Sequence, residues 1–229
     1  MEILFTHTLK ISDYFKPTPA LEIIPEWYKK LESYFTGEKK PHIDPKHKTT
    51  ATVKRCMPVF DAITAGYIFY TPVDVYVEQI NNTPYYSWPA GDALGFHPIE
   101  QVGNHPLNNG FDYPKWNNPW AIKTPKGYSV LVLPPLHRES VFTILEGIVD
   151  TDTYTAPINF PFVLNDIKYE GMIPAGTPIA QIIPFKRENW VMKIGGEKEK
   201  NEVEKINLAI VSKYFDRYKT LFRQTKEYK

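Results

Sequence analysis

Asp150 and Asp152 stand two residues apart in the run Gly147-Ile-Val-Asp-Thr-Asp-Thr-Tyr154, a spacing that places both carboxylates on one side of an extended strand. Carboxylates that close can share a proton or hold a cation, and at the end of a strand they more simply cap a turn. His97, Glu100 and His105 form a second set with ligating side chains, and a His/Glu/His group can bind zinc. Their spacing differs from that of the helical zinc motif, and Pro98 and Pro106 oppose a helix there. Hydrogen bonds within a loop are therefore the expected role, with no metal. Cys56 follows Lys54 and Arg55, whose charges could lower a thiol pKa, yet it borders an apolar run and is expected to be a buried, inert thiol. The chain has no Gly-x-Ser-x-Gly elbow and no Gly-rich phosphate loop of the Walker or dinucleotide type, and no cofactor is expected.

The elements that must position these residues read mainly as strands. Gly127-Tyr-Ser-Val-Leu-Val-Leu133, the run from Gly147, and Ile173-Pro-Ala-Gly-Thr-Pro-Ile-Ala-Gln-Ile-Ile-Pro-Phe185 are short apolar segments divided by Gly/Pro corners. Val73, Val75 and Val77 alternate with polar positions before an Asn81-Asn-Thr-Pro84 turn and a returning strand, which predicts a hairpin, and Pro72 demands an edge, bulge or break. Residues 52–59 read as strand, as do segments near residues 142–145 and 158–163. Residues 1–10 supply a first strand with Ile3, Phe5 and Leu9 on one side, and a short helix opens at Pro25 and carries Trp27, Leu31, Tyr34 and Phe35 toward Gly37. Residues 37–52 form a Lys/His/Pro-rich exposed connection. Residues 91–120 are the least regular stretch, with aromatic side chains to pin them. After Gly195-Gly196, Val203, Ile206, Ile210, Tyr214, Tyr218 and Leu221 recur every three or four residues among charges, an amphipathic helix. The division expected is 1–50 for the N-terminal strand, helix and loop, 51–192 for a β-rich core, and 193–229 for the terminal helix.

Composition excludes several classes of function. Lys and Arg number 27 against 26 Asp and Glu, so no overall field draws nucleic acid or an anionic membrane. The basic, aromatic residues of the tail are explained by helix packing. One cysteine allows no internal disulfide. The first ten residues, with Glu2 and few consecutive apolar positions, are expected to be neither a signal peptide nor a membrane span. Aromatics at 14% with 21 prolines suit loop-rich β structure.

Gly147-Ile-Val-Asp-Thr-Asp-Thr-Tyr154, followed by Gly176-Thr-Pro-Ile-Ala-Gln-Ile-Ile183, resembles the third and fourth motifs of deoxyuridine triphosphatases and the related deoxycytidine triphosphate deaminases. The resemblance implies a β-clip-like distorted barrel, with Asp150, Asp152, Tyr154 and Gln181 as a remodelled nucleoside pocket. It also implies trimers. The departures weigh against the family's chemistry: Ala65-Gly66 is followed by Tyr-Ile-Phe rather than an aspartate, Pro134-Pro-Leu-His-Arg-Glu-Ser140 holds one arginine and no serine pair, and the tail is no glycine-rich arm. Triphosphate hydrolysis needs groups that hold the phosphates and a magnesium ion, so losing these elements should remove the activity. Arg55-Cys-Met-Pro58, Trp120-Ala-Ile-Lys-Thr-Pro-Lys-Gly-Tyr128 and Leu133-Pro-Pro135 also resemble an uncharacterised family of tailed bacteriophages.

The expectation is a mainly-β, β-clip-like fold with an N-terminal short helix and a C-terminal amphipathic helix. Its expected role is that of a phage structural or assembly protein working through protein–protein contacts, in the virion or the host cytoplasm. Partners are other phage proteins or its own copies, with Trp116, Trp120, Ile206, Ile210 and Tyr214 at the interface. The alternative is a dUTPase-related protein that binds, sequesters or hydrolyses a nucleotide at Asp150, Asp152, Tyr154 and Gln181.

Overall fold

Buried alternation and tight corners produce fourteen strands among the described residues: β1 (Leu4–His7), β2 (Thr18–Pro19), β3 (Tyr67–Tyr70), β4 (Val75–Ile80), β5 (Thr83–Ser87), β6 (Leu94–His97), β7 (Tyr113–Trp116), β8 (Trp120–Lys123), β9 (Tyr128–Leu133), β10 (Phe142–Ile144), β11 (Gly147–Val149), β12 (Phe160–Leu164), β13 (Gly171–Ile173) and β14 (Pro178–Lys186). The structure is a computed structural model that describes residues 1–7, 15–35, 37, 50–211, 216 and 218–229, with the side chains of 209–211 outside the description. All strand pairs are antiparallel, in sheets ordered β11-β9-β14-β3-β2, β10-β12-β7-β6, β13-β4-β5 and β1-β8. The chain is thus mainly β, and among the described residues none of these sheets closes into a barrel.

β14 lies between β9 and β3, so Ile179, Ala180, Gln181 and Ile182 are all buried rather than alternating. β4 has one wet face and alternates as expected, Val75 and Val77 inside against exposed Tyr76 and Glu78. Asn81 and Asn82 turn β4 into β5 with φ of 53° and 60°, the left-handed pair that a two-residue hairpin needs. Pro72 falls in the break between β3 and β4. One apolar cluster unites Phe69, Val75, Trp116, Ile122, Val130, Phe160, Phe162 and Ile182, with Ile3 and Phe5 packed on it; Leu9 lies outside the described residues.

Two compact units divide the chain: Met1–Ile23, Ala65–Arg187 and Tyr228–Lys229 make the β unit, and Ile24–Thr64 with Glu188–Glu227 make the second. The second holds the helices α1 (Glu26–Lys30), α2 (Met57–Thr64) and α3 (Glu197–Val211). Three expectations are corrected there. Residues 52–59 are not a strand: a 3-10 turn, Val53–Arg55, capped by the Thr52 side chain, leads into α2. Pro58 in the first turn of α2 gives up an amide that has no helical partner anyway. The first helix stops at Lys30, and Tyr34 bridges to Ala51 while Phe35 N–H donates to Thr50 O at 2.9 Å. Cys56 is exposed rather than buried. Within this unit Asp61 accepts from Arg223 at 2.7 Å and Lys226 at 3.1 Å, cations that hold its carboxyl below the usual range, and Arg55 pairs with Asp216. Of the 37–52 connection, residues 38–49 lie outside the description. No helix among the described residues is long and apolar enough to cross a membrane.

Candidate functional site

Three strand ends converge on residues 127–129 because of register. Val149 of β11 pairs with Val130 and Lys186 of β14 pairs with Tyr128, so the residues that follow both strands meet the start of β9. Ser129 Oγ donates to Asp150 Oδ1 at 2.6 Å, and Gly127 N–H donates to Asp152 Oδ2 at 2.8 Å. Arg187 closes the group: its Nη1 reaches Asp150 at 3.1 Å and Asp152 at 2.9 Å, and its Nη2 also bonds Asp152. Asp150 is 61% exposed and Asp152 only 4%.

This geometry decides between the chemistries open to the pair. A shared proton needs one carboxyl whose affinity for protons is raised by its neighbour. Here Arg187 and then the Gly127 amide hold Asp152 down to about 2, and Ser129 followed by Arg187 lowers Asp150. Both are carboxylates whose charge is met by a guanidinium, and the fork of Arg187 spans them. Asp150 O also accepts Tyr154 N–H at 2.8 Å. The aspartates form a clasp that fastens the exit of β11 to β9 and β14.

Tyr154 stands in the same turn, half-exposed. Gln181 does not join it. It lies opposite Leu133, six residues before Arg187 along the chain, or about 20 Å at strand rise. Fully buried, its amide donates to Ala65 O at 2.7 Å and accepts from Leu136 N–H at 2.9 Å, tying the corner after β9 to the entrance of β3. Within one chain, therefore, Asp150, Asp152 and Tyr154 are adjacent and Gln181 is remote. His97 Nδ1 bonds Gln101 Oε1 at 2.7 Å, and His105 Nδ1 accepts Leu107 N–H at 3.1 Å. Among the described residues no three His, Cys, Asp or Glu side chains are grouped to hold a metal ion.

Of the interface candidates, Trp116 is fully buried and stacks on Phe162 with centroids 5.0 Å apart. Trp120 is half-buried and donates through Nε1 to Phe15 O at 3.2 Å. Ile206 is exposed on α3, and the Ile210 side chain and Tyr214 lie outside the described residues.

Two arginines matter that spacing did not single out. Arg187 had one signal, its place directly after the strand that faces residues 128–133. Arg138 sits in the Pro134-Pro-Leu-His-Arg-Glu-Ser140 corner, beside His137 at a left-handed φ of 56°. Its Nε and Nη2 are buried with no hydrogen-bond partner among the described residues. Burial works against its charge, with Tyr70 acting the other way, and the Tyr70 hydroxyl is itself bonded to Thr18 Oγ1. Buried guanidinium donors left idle are costly, and an anion placed against Nε and Nη2 would relieve that cost.

No protein-family model and no curated protein matches the chain. Among solved structures it is similar to a mutant dUTPase from phage phi11 of S. aureus, at 16% identity and a TM-score of 0.32, covering 59% of this chain and 85% of that one. It is also similar to a mutant Staphylococcus bacteriophage 80alpha dUTPase with dUpNHpp, at 14% identity and 0.31, covering 72% and 86%. The chain thus bears a partial resemblance to phage dUTPases, and at these scores the likeness carries no argument about its activity.

Proposed function

We propose that this chain works through protein–protein contacts, with copies of itself as the first partner, as a component of a tailed-phage assembly. The observation that carries the reading is the segment after the β unit, where Trp190 is 86% exposed, Val191 81%, Met192 89% and Ile194 92%. Fully burying side chains of this size contributes about 1.5–3 kcal/mol each, so four together approach what association must offset. Runs of exposed apolar residues mark contact surfaces. α3 follows directly, with Val203 and Ile206 exposed at seam spacing. Its charges suit a copy of itself, with Lys198, Lys200 and Lys205 against Glu197, Glu199, Glu202 and Glu204. The phage setting and the preference for trimers rest on the motif resemblances.

Sedimentation of the intact chain at micromolar concentration tests this. The parent should run as an oligomer, and Trp190→Ser combined with Met192→Ser should run as a monomer with unchanged far-UV circular dichroism. A parent that stays monomeric, and that associates with neither capsid nor tail material, ends the reading.

A second reading, a site for a nucleotide or related phosphorylated ligand, is favoured by one observation, the idle buried donors of Arg138. A ligand at a hundred times its dissociation constant stabilises by about 2.7 kcal/mol, a rise in melting temperature of roughly 5–10 °C for a chain of this size. Thermal-shift measurements with deoxynucleotides, with and without magnesium, should show that rise in the parent and none in Arg138→Gln. A flat parent profile discards the second reading, and product analysis of any ligand that binds separates sequestering from hydrolysis.

A further inference from the structure

Where β5, β6 and β7 meet the loop before β7 lies an open-mouthed pocket of about 390 Å³, inside the range of about 300–1,000 Å³ that small ligands fill. Four aromatic residues, Tyr86, Phe96, Phe111 and the deeply buried Tyr113, line it. Tyr86 and Phe96 stand 6.0 Å apart, tilted by 54°, so they form two walls rather than a closed stack. Among the described residues Asp112 is the one charged side chain lining the pocket. Its Oδ1 accepts Ile99 N–H at 3.1 Å, which fixes the carboxylate, and no cation among the described residues pairs with it. The remaining lining is largely apolar, including Ile99, Pro114 and Val163.

These features point to one sign of charge and one kind of cation. Aromatic faces present negative potential, and a carboxylate at the rim adds to it, with no basic side chain in the wall to oppose either. A compact ammonium such as that of lysine would surrender strong hydration on entering an apolar cage. A methylated ammonium spreads its charge over apolar methyl groups and loses less, and aromatic cages recognise such groups by cation–π attraction. We propose that the cavity lined by Tyr86, Phe96, Phe111, Tyr113 and Asp112 binds a methylated ammonium group, carried either by a small molecule or by a modified lysine side chain. Its residues are other than those of the self-contact surface proposed above.

The test is isothermal titration of the intact chain with choline, with a short peptide carrying trimethyl-lysine, and with 3,3-dimethylbutan-1-ol, the uncharged carbon counterpart of choline. At least one of the two cations should bind, and the alcohol should bind at least tenfold more weakly or not at all, a factor that corresponds to the worth of a desolvated cation–π contact. Choline binding without the peptide assigns the site to a small molecule; the reverse assigns it to a modified protein. Asp112→Asn keeps the acceptor for Ile99 N–H and should weaken cation binding about tenfold with no change in melting temperature. Phe96→Leu, at a ring that is 47% exposed, should weaken it also. Equal binding of the alcohol overturns the proposal, as does absence of binding by both cations at 10 mM, on the order of the weakest affinity such a cage would give.

Discussion

Trp116→Ala will lower the melting temperature of the β unit by about 10 °C or more. The indole is fully buried, lies 15° from parallel to Phe162 at 5.0 Å, and meets Phe142 at 5.5 Å. Truncating a buried tryptophan costs about 3–5 kcal/mol in lost transfer energy and residual cavity, and each kcal/mol moves the midpoint by roughly 2–4 °C at this chain length. The sheet β10-β12-β7-β6 takes the loss directly, since Trp116 pairs with both Leu94 and Phe160. Trp116→Phe should lose less, because the indole Nε1 is buried without a partner among the described residues and its removal breaks no hydrogen bond. Calorimetry and near-UV circular dichroism read the effect. The comparison also settles whether this ring serves a subunit contact: a Trp116→Ala variant that melts within about 2 °C of the parent, well below the cavity cost, and loses only its self-association would place it at an interface.

That tryptophan illustrates what could be read from the chain and what could not. Periodicity located many of the strands, and Asn81-Asn82, Pro72 and the valines of β4 announced their turn, break and inward face through local chemistry alone. Trp116 lies in a stretch rich in Pro, Asn and Gly, which reads as loop, yet residues 94–97 and 113–116 pair there as β6 and β7. The pairing is sustained by burial against β12, a partner remote in sequence. The expected strand over residues 52–59 fails differently: the apolar residues at its end fit a period of two as well as one of 3.6, and Pro58 suits a helix's first turn as readily as a strand's edge. The first helix was read too long because Leu31, Tyr34 and Phe35 keep helical spacing, while Tyr34 spends its backbone on Ala51.

The candidate site was legible in part. Asp150 and Asp152 were visible as a pair with a turn as their simpler role, and the turn is there, with Asp150 O receiving Thr153 and Tyr154 amides. The cation that meets them was not visible, because Arg187 reaches them only through the register of β14 on β9. Gln181 belonged to a motif whose likeness implied a ligand. In this fold its amide is occupied by two backbone groups from distant corners.

Gly66→Ala, at the second residue of the Ala65-Gly66 pair, is expected to abolish folding of the β unit or to cost it on the order of 4 kcal/mol or more. Gly66 has φ +67°, where a side chain costs about 1–2 kcal/mol on its own. Space is the larger obstacle. A Cβ there would overlap the Ile182 carbonyl oxygen, lie 2.8 Å from Ile182 C and 3.1 Å from Ile183 Cα. These are backbone atoms of the central strand, which cannot rotate aside as a side chain does. The same two residues anchor the corner from both directions: Ala65 O accepts the Gln181 amide at 2.7 Å and Gly66 O accepts Ala20 N–H at 2.9 Å. Relief of the overlap by moving β3 from β14 would break the first of these and crowd β3 against the segment that holds Ala20. Gly103→Ala is the control, since its φ is +54° with nothing within 4 Å of the added carbon, and it should show the backbone cost alone. Melting curves of the two variants separate strain from overlap. If Gly66→Ala melts no lower than Gly103→Ala, the close approach of Gly66 to β14 is not what makes glycine necessary there. If it melts far lower, the Ala65-Gly66 pair acts as the hinge pin of the central sheet.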